Sequence, residues 1–216
     1  MTGERDKDVP SDLLKQRRAP VQARAQMSRD RILEVAGELL DEVGIDDFNT
    51  NLLAERAGVR IRTVYRYFPN KFAVIATIGE DMFERWSDWN AGYFLEIGKP
   101  DGDWATALRE MIDGWIGRLA KEKGARAILQ ALGAIPQLRD LDRAAYARLV
   151  SDFEDALSRR SPADRRDVTT LSHVAVSAIY GLVDCYFRTP EDVRPLMAAE
   201  LSEMIAGRFR AAFARA

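Results

Sequence analysis

The sequence has few residues that could support catalysis or metal binding, since it contains one cysteine, Cys185, and one histidine, His173. A single cysteine excludes an internal disulfide and is typical of a reducing cytoplasm. One cysteine and one histidine also cannot supply the clustered ligands of a zinc-type site. No strand pattern occurs along the chain, so no glycine-rich phosphate loop follows a strand. We therefore expect no enzyme activity, no cofactor and no metal.

The chain also lacks a long apolar run and a strong net charge. Its charged N-terminus is unlike a signal peptide, and we expect no segment to span a bilayer, so the predicted location is the cytoplasm. The net charge is −2 over 216 residues, which means that any nucleic-acid surface must be local. A hydrophobic content of 47% is ample for one core or two small ones.

A pattern for two short helices joined by a tight turn lies between residues 50 and 72. Thr50 is predicted to cap the first helix, and Gly58 supplies the left-handed conformation that the turn needs. Ala54 is small where the second helix must cross, and Val64 is predicted to face inward. This spacing is typical of a helix-turn-helix.

The second helix, over about 60–68, is predicted to direct a face without acidic residues outward. Residues 49–75 contain five basic residues and one acidic residue. A solvated basic helix in an ordinary bundle is the alternative, but the turn glycine and the small residue before it favour DNA binding. The predicted DNA contacts are Thr50, Asn51, Arg60, Ile61, Arg62, Thr63, Tyr65, Arg66, Tyr67 and Lys71.

At these residues the chain resembles the TetR family of transcriptional regulators. The similarity is carried by Leu-Ala-Glu-Arg-Ala-Gly-Val at 53–59 and by Thr-Val-Tyr-Arg-Tyr-Phe-Pro-Asn-Lys at 63–71. It extends back through a predicted helix at 28–43, and it implies that Tyr65 and Lys71 hold phosphates. Arg60 and Arg62 stand where the family often has a serine and a small residue, so base contacts cannot be copied from a relative.

The helical patterns predict an all-α chain with three parts. Residues 1–27 are expected to be a flexible basic arm, either a solubilising tail or an arm that contacts DNA. Residues 28–72 form the helix-turn-helix domain, and 73–216 form a helical effector-binding and dimerisation bundle. Later helices are predicted at 70–90, 125–135, 138–157, 164–188 and 190–213, and a further helix is predicted to begin at residue 103. A loop is predicted at 92–102.

The last two predicted helices are more apolar than the surface of a lone bundle requires. The family resemblance implies that they pair with their copies in a homodimer, whereas the same residues could instead face the core of one monomer. The predicted interface residues are Val174, Ala178, Gly181, Leu182, Leu201, Met204 and Ile205.

Aromatic residues and one polar stripe suggest a ligand pocket in the bundle. His173, Ser177, Tyr180 and Asp184 recur at helical spacing and share one face, which could meet solvent, the dimer partner or a cavity. The aromatic residues could equally be plain core. The predicted ligand contacts are Trp86, Trp115, Tyr146, Phe153, His173, Ser177, Tyr180 and Asp184, and the predicted ligand is a small apolar or aromatic effector.

These patterns together predict a ligand-responsive, sequence-specific transcriptional regulator. The expected form is a repressor that binds a palindromic DNA operator as a homodimer, although an activator would use the same contacts. The alternative from another class is a helical small-molecule-binding or carrier protein with only non-specific DNA affinity. Such a protein would bind all duplexes equally and in a salt-dependent manner.

Overall fold

The computed structural model describes residues 23–160 and 165–214, and within them the secondary structure is helical. Nine α-helices are found in these residues, in agreement with the predicted all-α class. They are α1 (Ala23–Asp47), α2 (Thr50–Arg56), α3 (Ile61–Tyr67), α4 (Lys71–Gly98), α5 (Trp104–Leu119), α6 (Ala125–Ala134), α7 (Arg139–Arg160), α8 (Arg165–Tyr186) and α9 (Arg194–Phe213). A short 3₁₀ turn, Pro136–Leu138, precedes α7.

The first of two compact units contains α1 to α3, the start of α4, and α6. It comprises the described residues through Asp81 together with Lys123–Leu141. Its core is apolar: Ile32, Leu39 and Phe48 have at most 1% of their surface exposed. Gly44 interrupts α1 with φ 70°, as predicted for the end of that helix.

Helix α6 packs against α1 within this unit. Lys123 Nζ donates to Glu38 Oε1 at 2.7 Å, and the Gly124 backbone N–H donates to Asp41 Oδ2 at 2.9 Å. Gly37 permits the close approach of α1 to Lys123, since a Cβ at position 37 would lie 3.3 Å from the Cβ of Lys123. The prediction placed everything after residue 72 in one domain, whereas these contacts group Lys123–Leu141 with the helix-turn-helix.

The second unit contains Met82–Glu122 and the described residues from Asp142 onward. Helix α5 packs against α9 and α8, and α8 packs against α9. Leu108, Ile112 and Phe153 are fully buried in its core, and Phe94 meets Phe153 edge to face with ring centroids 4.9 Å apart. This agrees with the predicted helical bundle.

Several predicted helix boundaries are wrong. The loop expected at 92–102 is mostly helix, because buried Phe94 and Ile97 continue the apolar side of α4 to Gly98. The last helix was expected to start at residue 190, but this segment is a turn in which the N–H of Val193 donates to the Pro190 carbonyl at 3.0 Å. Helix α9 begins at Arg194. Asp103 does cap α5 as predicted, since its side chain accepts from the Thr106 N–H.

Two further predictions concern the arm and the membrane. Most of the predicted arm lies outside the described residues, and residues 23–27 already belong to α1. By length and composition alone, one helix in the described residues, Arg165–Tyr186, is long and apolar enough to cross a bilayer, whereas no such segment was expected. This helix buries Ala175, Val176 and Ile179 in the core of the second unit, and a core helix passes the same test.

Candidate nucleic-acid interface

The turn between α2 and α3 is built as a helix-turn-helix requires. Gly58 has φ 67°, a left-handed conformation that favours glycine. The N–H of Val59 then donates to the Ala54 carbonyl at 3.0 Å, which brings the chain back across α2. Ala54 and Val64 are buried between the two helices, at 4% and 0% exposure. The small residue, the turn glycine and the inward valine therefore fix the position of α3.

The face of α3 that points away from this core is basic and apolar, without a carboxylate. Arg60, Ile61, Arg62, Tyr65 and Arg66 are exposed, and Thr63 is half-buried. Asn51 is also exposed, on the neighbouring turn of α2. These side chains offer guanidinium donors, methyl groups and a phenol, which are the groups that read base edges and hold phosphates.

Arg56 does not add to this positive surface, because both its Nη atoms donate to Glu42 at 2.9 and 2.8 Å. These hydrogen bonds to the Glu42 carboxylate, together with its negative charge, raise the pKa of Arg56. The positive charge near α3 therefore comes from Arg60, Arg62, Arg66 and Lys71.

Thr50 connects the two helices of the motif rather than capping the first. Asn49 is the residue that caps α2, since its side chain accepts from the Leu52 N–H at 3.0 Å, so the predicted cap at Thr50 is wrong. Thr50 is only 8% exposed, and its Oγ1 lies 3.1 Å from the hydroxyl of Tyr65. This contact fixes the Tyr65 ring at the edge of the exposed face. Asn49 and Thr50 are both good capping residues, so their order along the chain could not decide between them.

Tyr67 lies on the opposite side of α3, and its predicted outward position is wrong. Its side chain is 2% exposed, and its hydroxyl donates to the Ala25 carbonyl of α1 at 3.1 Å. Arg66 Nη2 in turn donates to the Tyr67 hydroxyl at 2.6 Å, and the guanidinium carbon lies 4.7 Å from the ring centroid. Tyr67 thus positions Arg66 instead of meeting a ligand itself.

Lys71 begins α4 and points back toward α1. Its ammonium donates to the carbonyls of Ile45 and Phe48 at 3.2 and 3.1 Å. Asn70 caps the same helix by accepting from the Ala73 N–H at 2.9 Å. The lysine therefore fastens the end of α1 to the start of α4, a role that the sequence did not reveal.

The predicted ligand residues of the second unit are not all brought together. Trp115 and Phe153 are core residues, and Trp115 Nε1 donates to the buried side chain of Asn90 at 2.8 Å. Trp86 is 9% exposed, and its Nε1 finds no hydrogen-bond partner among the described residues. Asp184 is exposed and pairs with Arg188.

Four of the predicted ligand residues do form one cluster, on the surface of α7 and α8. The Tyr146 hydroxyl lies 3.1 Å from both His173 Nδ1 and Ser177 Oγ. The rings of Tyr146 and Tyr180 meet edge to face with centroids 5.3 Å apart. Burial raises the pKa of Tyr180, with Asp142 adding to the effect, so this phenol stays neutral.

The predicted dimer residues divide into two groups. Val174 and Met204 are exposed at 58% and 68%, Gly181 is exposed, and Ala178 is half-buried. Leu182, Leu201 and Ile205 instead lie in the core of the second unit. Their assignment to the interface is wrong, because the inner face of each helix is already covered within one chain.

Comparisons with known proteins find family matches for two segments of the sequence, one N-terminal and one C-terminal. Residues 32–78 match the family described as bacterial regulatory proteins, tetR family, and residues 103–207 match the tetracyclin repressor-like C-terminal domain. The tetracycline repressor protein class C of Escherichia coli is 29% identical over 118 residues, covering 54% of this chain. The aligned segment spans about half of that repressor's length, 51%.

Solved structures share the fold over most of the chain. A TetR-family transcriptional regulator from Streptomyces coelicolor is 27% identical, with a TM-score of 0.63, and covers 86% of this chain and 99% of its own. The SmeT–triclosan complex is 20% identical, with a TM-score of 0.62, covering 84% of this chain and 91% of its own. The matching families and the Streptomyces coelicolor protein are described as regulators rather than enzymes, in agreement with the prediction that this chain is not an enzyme.

Proposed function

Because the chain belongs to the TetR family of transcriptional regulators, we propose that it is a ligand-responsive repressor that binds a palindromic operator as a homodimer. The observation that carries the proposal is the acid-free, exposed face of α3, held in place by the Gly58 turn. Proteins of this family bind DNA operators and small-molecule effectors and form dimers. The proposed role as a DNA-binding regulator implies a cytoplasmic location.

In the proposed complex, α3 lies in the major groove. Arg62 reads a base edge, most simply a guanine, because its guanidinium presents two parallel donors. Ile61 and Thr63 offer methyl groups to a thymine, and Tyr65 holds a phosphate from the position that Thr50 fixes. Lys71 keeps one N–H free for a phosphate, since an ammonium has three donors and two are used by carbonyls.

The proposed dimer forms through the outer faces of α8 and α9. Val174, Gly181 and Met204 supply exposed apolar or small positions there, which favours close packing against a second copy. A dimer places two copies of α3 about 34–36 Å apart, or a multiple of that distance, and the operator is then palindromic.

We further propose that a small apolar or aromatic effector binds in the second unit. The cluster of Tyr146, His173, Ser177 and Tyr180 offers polar atoms to a hydroxyl or carbonyl of the ligand and ring surface to its apolar part. Helix α4 continues from the first unit into the second, so displacement at one end would reach the other. The effect on operator affinity equals the ligand's differential affinity for the two states, about 1–3 kcal/mol.

Selection from a randomised duplex library, followed by footprinting, tests the DNA part of this proposal. We expect enrichment of one inverted repeat, and binding to it should exceed binding to random duplexes at every salt concentration. Equal, salt-dependent affinity for all duplexes would instead favour the small-molecule carrier with non-specific DNA affinity.

A melting-shift screen of apolar and aromatic compounds tests the effector part. The best compound should then be titrated into the free protein and into the operator complex. Weaker binding to the complex is expected for an inducer, and Tyr146→Phe should reduce the shift while Tyr93→Phe should not. Equal affinity for both forms would show that ligand and operator are uncoupled.

A further inference from the structure

A groove of about 390 Å³ in the second unit is unrelated to the DNA interface and to the Tyr146 cluster. It lies where the start of α5 meets the ends of α7 and α9. Its walls combine two guanidinium groups with two aromatic rings: Pro100, Trp104, Arg160, Arg210 and Phe213.

Arg160, which lines this groove, is held by hydrogen bonds to backbone carbonyls. Its Nη1 donates to the carbonyls of Lys99 and Gly102 at 2.5 and 3.3 Å. Its guanidinium carbon lies 5.6 Å from the Trp104 ring centroid and 5.5 Å from that of Phe213. The described residues place no carboxylate in ion-pair contact with it, although Glu96 and Asp101 act on it from farther away. Burial lowers the pKa of Arg160, so its charged form would gain from a bound anion.

Arg210 faces the same rings from α9 and is held more loosely. Its guanidinium carbon lies 5.8 Å from the Trp104 centroid. Its ion pair with Glu203 is long, at 3.5 Å, and both side chains are more than half exposed. Such a pair contributes little, so Arg210 is free to turn toward an anion in the groove.

The aromatic walls are ordered and only partly covered. Trp104 and Phe213 meet edge to face with centroids 5.3 Å apart, and both are half-buried. Their exposed ring surface offers stacking to a flat ligand, while the two guanidinium groups offer planar, paired donors.

We propose that this groove binds an aromatic carboxylate. The carboxylate lies between Arg160 and Arg210, and the ring system packs on Trp104 and Phe213. Guanidinium groups match a carboxylate with two parallel hydrogen bonds, and the groove volume suits a ligand of about two fused rings. This assignment does not rest on the proposed operator binding, because occupancy is measured on the free protein.

Equilibrium dialysis of the full-length chain against 2-naphthoate tests the assignment. We expect saturable binding of one 2-naphthoate per chain, and weaker binding of the neutral analogue 2-naphthamide. Arg210→Gln should weaken the binding of 2-naphthoate roughly tenfold, because one charged hydrogen-bond donor is lost. Arg208→Gln is the matched control, since Arg208 is exposed on the same helix but does not line the groove.

Thermal melts of both variants should match the wild type, because Arg208 and Arg210 are exposed. Three results would each overturn the assignment: no saturable binding of 2-naphthoate, equal affinity of the wild type and Arg210→Gln, or equal affinity for 2-naphthoate and 2-naphthamide. Failure of operator binding would leave all of these measurements unchanged.

Discussion

The Nζ atom of Lys71 lies 3.1 Å from the carbonyl oxygen of Phe48, and the same ammonium reaches the Ile45 carbonyl at 3.2 Å. One side chain at the start of α4 is therefore hydrogen-bonded both to the end of α1 and to the turn that leads into α2. The position of α3 depends on α1 and α2, so Lys71 supports the DNA-reading face whether or not it touches DNA.

Lys71→Met separates these two roles. The variant keeps the apolar stem and loses the charged donor, so the free energy of unfolding should fall by about 1–2 kcal/mol in urea titrations. If Lys71 also holds a phosphate, the slope of log affinity against log salt should fall by about one unit. Lys121→Met, an exposed lysine beyond α5, is the control for both measurements. A lower stability with an unchanged slope would leave Lys71 with a structural role alone.

Arg62 is the residue expected to carry base specificity. It is exposed and has no side-chain partner in the described part of the chain, whereas neighbouring Arg66 is held by Tyr67. Arg62→Ala should weaken binding to the selected operator by about 1–3 kcal/mol and binding to random duplex much less. Fluorescence anisotropy with both duplexes measures the difference, and Arg126→Ala on α6 is the control. Equal losses on the two duplexes would make Arg62 a phosphate contact.

The helix-turn-helix could be predicted from sequence because its determinants are local. Gly58, Ala54 and Val64 lie within eleven residues and have the predicted conformation or burial. The error at Tyr67 was also local: it follows the buried Val64 by three positions, a spacing that places both on one helix face.

Other features depend on contacts between distant parts of the chain. Glu38 and Lys123 are 85 residues apart, so no local pattern shows that α6 packs on α1. Helical periodicity likewise cannot decide whether an apolar side chain faces its own core or a second copy, because both positions are apolar. For this reason Leu201 and Met204 were assigned together, although one is buried and the other exposed.

Gly181 offers a test of the dimer that leaves the single chain undisturbed. A Cβ at this position would meet nothing within 4 Å in one chain, and the backbone φ is not positive. Gly181→Trp should therefore fold normally but place an indole in the space that a second copy occupies. Sedimentation should show a shift from dimer toward monomer, with an unchanged helical circular dichroism spectrum.

Gly117→Trp is the matched control for the dimer test. Gly117 is an exposed helical glycine of α5 that also has open space around its Cβ position. The Gly117→Trp variant should keep the sedimentation coefficient of the dimer. A Gly181→Trp protein that remains fully dimeric would place the interface away from this part of α8.

The ion pair between Glu38 and Lys123 makes the packing of α6 on α1 dependent on pH. The hydrogen bond that Lys123 donates lowers the pKa of Glu38 below its ordinary 4.5, and the positive charge of Lys123 adds to this effect. A carboxyl whose pKa is lower in the folded state contributes stability that is fully present above its unfolded pKa. That stability is lost as the pH falls through the folded pKa. Both side chains are substantially exposed, so the contribution is small and is screened by salt.

Glu38→Gln should accordingly lower the melting temperature at pH 7 in low salt. The difference between wild type and variant should shrink as the pH falls below 4.5, and 1 M salt should reduce it at neutral pH. Glu110→Gln, an exposed carboxylate in the second unit, should show no such pH-dependent difference. A Glu38→Gln difference that persists unchanged at low pH and in high salt would mean that the side chain acts through packing. The packing of α6 on α1 would then depend on the Asp41–Gly124 hydrogen bond and on the close approach at Gly37.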